Sequence, residues 1–140
     1  MASNVETARA YYEAAEGRDG AALLEILHPS VKLRLTEGLP GGLGGLYEGR
    51  EAAFDALRRA SEAFDALARP ELFLSGEDDH VVVLGRYVGV TRETGMPFEA
   101  AFAHVLRIRE GRVAQFTQVT DSRRWDARTL EGIEKTNPEA

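Results

Sequence analysis

At Pro70 the apolar spacing of this chain changes period, and no other feature limits its fold as sharply. Upstream, apolar residues recur every three or four positions, as on one face of a helix; downstream they fall into the runs and alternations of strands. Ser3-Asn4-Val5-Glu6 is a capping box, in which the serine hydroxyl and the glutamate carboxylate can each satisfy a free backbone N–H. A helix is predicted from there to Gly17, with Val5, Ala8, Tyr12 and Ala15 facing inward. Asp19 can cap a second, shorter helix carrying Leu23, Leu24, Ile26 and Leu27. His28-Pro29 stops it, because proline disfavours helix at the residue before it. Val31, Leu33 and Leu35 then alternate with Lys32, Arg34 and Thr36, the pattern of a strand with one buried face. The glycine-rich stretch Gly38 to Gly45 predicts an irregular loop. A long helix is predicted from about Arg50 to Leu67, with Ala53, Leu57, Ala60, Phe64 and Leu67 as its inward stripe. Past Pro70, strands are predicted at Leu72 to Leu74, Val81 to Thr91, Phe98 to Ile108 and Val113 to Thr120. The breaks between them are short and turn-like, which makes an antiparallel meander. Helices first and a sheet afterwards make an α+β domain, and the lack of crossover helices after Pro70 argues against a doubly wound parallel sheet.

With 140 residues, 44% of them hydrophobic, the chain has the length for one domain with a core of its own. It contains no cysteine, so disulfides, thiolate metal sites and cysteine nucleophiles are excluded together. The net charge of -6 repels nucleic acid. The one basic cluster, Arg123, Arg124 and Arg128, lies among Asp121, Asp126 and Glu131 and reads as a solvated helix face. The opening Met1-Ala2-Ser3-Asn4 has neither a basic region nor an apolar run, and no stretch approaches the roughly 18 apolar residues of a membrane span. A cytoplasmic protein with no membrane and no nucleic-acid partner is therefore expected.

Several catalytic signatures are absent. The glycine stretch lacks the Lys-Ser or Lys-Thr of a phosphate-binding loop and the third glycine of a dinucleotide fingerprint. His28, His80 and His104 have no paired-ligand spacing, and no Gly-x-Ser-x-Gly elbow occurs. Other residues admit two readings each. Asp121 ends the last strand, where it either caps a final helix containing Trp125 or turns with Gln118 or Thr117 into a pocket under a curved sheet. His104 shares a strand face with Phe102, Leu106 and Ile108, as a core histidine or as a catalytic group. Arg86, between Leu84 and Val88, either reaches water or anchors a ligand oxygen. Tyr11 and Tyr12 are packing residues or ligand donors.

The order helix, helix, strand, loop ending Leu46-Tyr47-Glu48-Gly49-Arg50, long helix and four strands resembles the nuclear transport factor 2-like superfamily, and within it SnoaL-like proteins. The stretch Phe102-Ala103-His104-Val105-Leu106-Arg107-Ile108 and the strand-ending Asp121 carry the likeness further. It spans residues 5 to 126, the core of a single domain 1–140 with a tail from 127 to 140. The resemblance implies a cone-shaped barrel, a curved mixed or antiparallel sheet wrapped around three helices with a cavity open at one end. It also implies a homodimer formed through the sheet.

Ketosteroid isomerases, epoxide hydrolases and polyketide cyclases share this fold, so the resemblance implies fold more firmly than chemistry. Tyr11 matches the isomerase tyrosine, but Leu35 and Ala101 stand where its base and acid would be. Arg86 fits the arginine of the limonene epoxide hydrolases, but Val88 replaces an aspartate. Asp121 matches the acid/base aspartate of the SnoaL-like cyclases, which close rings by an intramolecular aldol step, and His104 lies near their pocket histidine. Phe116 and Thr117 depart from the cyclase pattern. The resemblance thus implies a cofactor-independent and metal-free enzyme of small-molecule metabolism. Asp121 and His104 would be catalytic, and Tyr11, Tyr12, Phe54, Arg86, Phe116, Gln118 and Trp125 would bind a small hydrophobic metabolite. The alternatives are a non-catalytic binder of a hydrophobic ligand and an isomerase or epoxide-opening enzyme.

Overall fold

The computed structural model describes residues 2–125, so Asp126, Arg128, Glu131 and the tail from 127 lie outside the described residues. Helix α1 spans Asn4–Glu16, and the Ser3 hydroxyl accepts from the Glu6 N–H at 3.1 Å. Its buried face is Thr7, Ala8, Tyr11, Tyr12 and Ala14; Ala15, expected inside, is exposed. Helix α2, Gly20–Ile26, is capped by Asp19, whose carboxylate accepts from the Ala22 N–H. It ends before the predicted stop, because Leu27 already belongs to strand β1, Leu27–Leu35, and pairs with Val113. Val31, Leu33 and Leu35 are buried and Lys32 and Arg34 exposed, as the alternation requires.

The glycine-rich stretch holds more order than expected. A short 3₁₀ turn, Pro40–Gly42, is followed by strand β2, Gly45–Glu48, antiparallel to β1. Helix α3 runs Arg50–Ala63 and stops four residues before the predicted end. Phe64 opens strand β3, Phe64–Ser75, which continues through Pro70. The tertiary ladder decides this: each residue from Phe64 to Pro70 has a partner on strand β4, His80–Thr91, and proline is tolerated because β3 is an edge strand with a bulge there. Strands β5, Pro97–Arg109, and β6, Arg112–Thr120, complete the predicted meander. Glu110 and Gly111 both have positive φ, giving a two-residue turn that matches strand twist.

The sheet order is β2-β1-β6-β5-β4-β3, with β1 and β6 parallel and all other neighbours antiparallel. The mixed α+β arrangement is as expected, but the sheet is open, with β2 and β3 as its edges, and does not close into a barrel. The core lies between the three helices and the inner sheet face formed by Val81, Val83, Leu106, Val113 and Phe116. Among the described residues no helix is long and apolar enough to cross a membrane.

Candidate functional site

Between α1, α3 and the inner sheet face lies a cavity of about 320 Å³. Its lining is mainly aliphatic and aromatic: Leu35, Leu39, Leu57 and Phe64 contribute, and Phe54 leans from α3 toward Gly20. A cavity of this size accommodates a small organic molecule. Glu16, Arg18, Asp19 and Arg58 add charge to the lining. Two of these charges are committed to partners: Arg18 pairs with Asp65 at 2.7 Å, and Arg58 with Asp55 and Glu62.

Polar groups from four elements meet on one wall. His104, on β5, is 1% exposed and lies between the rings of Phe102 and Phe116, at centroid distances of 3.9 and 4.5 Å. The Tyr12 hydroxyl, from α1, is 2.6 Å from its Nδ1, and the Tyr87 hydroxyl, from β4, is 2.5 Å from its Nε2. Gln118, the cross-strand partner of His104 on β6, donates from Nε2 to the Tyr87 hydroxyl at 2.9 Å. Its Oε1 accepts from the Thr36 backbone N–H at 3.1 Å, which fixes the orientation of the amide. Burial lowers the pKa of His104 to about 3, so the imidazole is neutral at physiological pH. The same desolvation raises Tyr11, Tyr12 and Tyr87 well above the ordinary phenol value. The wall is therefore a chain of uncharged polar groups.

The structure brings most of the expected residues together. Tyr11, Tyr12, Phe54, His104, Phe116, Gln118 and Trp125 all line the cavity. Trp125 is held there by a 3₁₀ turn, Ser122–Trp125, and by its Nε1–H donating to the Thr120 hydroxyl. Two expectations are corrected. Asp121 is exposed and outside the lining; its carboxylate accepts from the Arg123 N–H at 3.2 Å, the capping role. Arg86 is on the outer sheet face, paired with Glu99 and with Glu71, because Val83 and Tyr87 occupy the inward positions of β4. Of the basic cluster, Arg123 and Arg124 are exposed on that turn, and Arg128 falls outside the described residues. Tyr87 was missed, although the alternation Val81, Val83, Tyr87 that turns Arg86 outward also turns Tyr87 in.

The SnoaL-like domain family matches residues 8–116 of this chain, a stretch that ends before Gln118 and Asp121. No curated protein matches it. Among solved structures, a nuclear transport factor 2-like protein from Burkholderia thailandensis is 27% identical, with a TM-score of 0.80 over 93% of this chain and 98% of that one. A nuclear transport factor 2-like protein of unknown function from Burkholderia pseudomallei is 29% identical, with a TM-score of 0.78 over 96% and 97%. TerC, co-crystallised with polyporic acid, is 26% identical, with a TM-score of 0.76 over 94% and 98%.

Proposed function

The chain belongs to the SnoaL-like family, and from that premise we propose that it binds a small, largely apolar metabolite in the cavity behind α1 and α3, without acid/base catalysis by Asp121. The observation that carries this reading is the pairing of a mainly apolar lining with a buried wall of neutral polar groups, while the strand-ending carboxylate is exposed and outside the lining. Such a lining gains affinity from apolar burial, and a few fixed polar groups set the orientation of what is bound. The co-crystallisation of TerC with polyporic acid supports a small organic molecule as the ligand. An aldol cyclase needs a proton acceptor beside the reacting carbon. Among the described residues the carboxylates in the lining are Glu16 and Asp19, and Asp19 is already engaged at the start of α2.

The chain has one tryptophan, and Trp125 lines the cavity, so its emission reports directly on occupancy. Titration with a panel of one- to three-ring aromatic compounds is expected to give saturable changes in that emission. Ala60→Phe, which fills part of the lining, should abolish them. Equal responses from both proteins would overturn the reading.

A further inference from the structure

Counting hydrogens along the polar wall says what kind of atom the ligand must present there. Tyr12 and Tyr87 each bring one hydroxyl hydrogen, and both hydroxyls lie within hydrogen-bond distance of the same imidazole. A neutral imidazole has one N–H and one acceptor nitrogen. One phenol therefore donates to the ring and the other accepts from it, so one phenolic hydrogen remains unspent. Gln118 decides which. Its amide orientation is fixed by the Thr36 N–H, so it donates to the Tyr87 oxygen, and a phenol that accepts in this way becomes a stronger donor. Tyr87 then donates to Nε2, the imidazole carries its hydrogen on Nδ1 and donates to Tyr12, and the hydroxyl hydrogen of Tyr12 is the one left over. Among the described residues His104 is the hydrogen-bond partner of that hydroxyl, and Tyr12 lines the cavity.

We propose that the Tyr12 hydroxyl, oriented through His104, Tyr87 and Gln118, is a recognition donor of this cavity, and that its ligand is a neutral apolar molecule presenting a carbonyl oxygen to it. This rests on the small-molecule reading above and adds the chemical class. A ligand that brings only a donor to this point would leave two hydrogens facing each other, and one that brings neither would leave the phenol unsatisfied.

The probes are 1-tetralone and its parent hydrocarbon tetralin, with 1-indanone and indane as a second pair, measured by calorimetry. A cavity without a donor favours the hydrocarbon, because the ketone surrenders its hydrogen bonds to water on entry. The unaltered protein is expected to bind each ketone at least as tightly as its hydrocarbon. Tyr12→Phe keeps the ring and should shift the ketone-to-hydrocarbon affinity ratio about tenfold toward the hydrocarbon. The carbonyl stretch of bound 1-tetralone in the unaltered protein supplies a readout that needs no variant: it should lie below its frequency in heptane. Preference for the hydrocarbon with an unshifted stretch overturns the proposal and leaves the binding cavity standing, as does a ratio that Tyr12→Phe fails to move. Binding of neither member of either pair brings down the cavity reading and this proposal with it.

Discussion

His104 shows how burial converts a titratable side chain into a fixed structural one. Its pKa falls from 6.5 to about 3 because the ring is enclosed by Phe102, Phe116 and two phenols. Between those values the unfolded chain takes up a proton that the folded chain refuses, so stability falls as pH drops through 6.5 and is unaffected above it. Between pH 7 and pH 5 this single group should remove about 2 kcal/mol from the unfolding free energy. Urea unfolding at the two pH values checks it: His104→Gln should lose less over that interval than the unaltered protein, and equal losses would refute the linkage. Asp121 makes the opposite case. Asparagine caps a helical turn as well as aspartate does, so Asp121→Asn should leave both stability and ligand affinity within about twofold; a large loss of binding would return the carboxylate to the site. The two residues differ in how far the sequence exposes them. Alternation along β5 turns His104 inward with Phe102 and Leu106, whereas an Asp at a strand end fits a cap and a pocket equally well. Side-chain direction past the end of a strand has no period to read.

At the level of elements, the four-residue dispute between α3 and β3 is settled by long-range pairing. Phe64 and Leu67 continue the helical stripe of α3, yet both lie in β3, paired with Thr91 and Val88. Helical spacing is a local signal, and it loses to a ladder whose partner is more than twenty residues away. β2 was illegible for a related reason: four residues carry too little alternation to stand out from a glycine-rich loop, and its existence depends on β1 beside it. The longer strands β4, β5 and β6 were readable because each repeats its pattern many times. Their packing does depend on a detail that spacing does not show. A Cβ on Gly85 would sit 2.2 Å from the Arg69 carbonyl oxygen and 2.7 Å from the Phe102 ring. Phe102 stacks on His104, so the clash would reach the polar wall of the cavity. Gly85→Ala should therefore cost roughly 1–3 kcal/mol of stability, read as a lowered urea midpoint, and a neutral result would show that β3 can move away from β4 there.

For the whole molecule, the outer face of the sheet is the part that the described residues leave uncovered. Register aligns Leu72, Leu84, Ala103 and Val119 in one row across β3, β4, β5 and β6. Leu72, Leu84 and Val119 are 47%, 39% and 56% exposed, although Val81 and Val83 on the other side of the same sheet are fully buried. Burying a side chain of this size is worth on the order of 1–2 kcal/mol, and a twofold axis through the row would bury it against its own copy, the self-complementary arrangement that closed dimers use. Arg86, which pairs with Glu71 and Glu99, lies two residues along β4 from Leu84, where a dimer would keep these ion pairs at a polar rim. Light scattering is expected to give the mass of a dimer. Leu84→Glu places a carboxylate in the middle of the row and should yield monomers, while Trp125 emission, which reports on the opposite face, should respond to ligand as before. A monomeric mass for the unaltered protein would show that this face stays in water, and loss of the ligand response in Leu84→Glu would show that the cavity's shape depends on the outer contact.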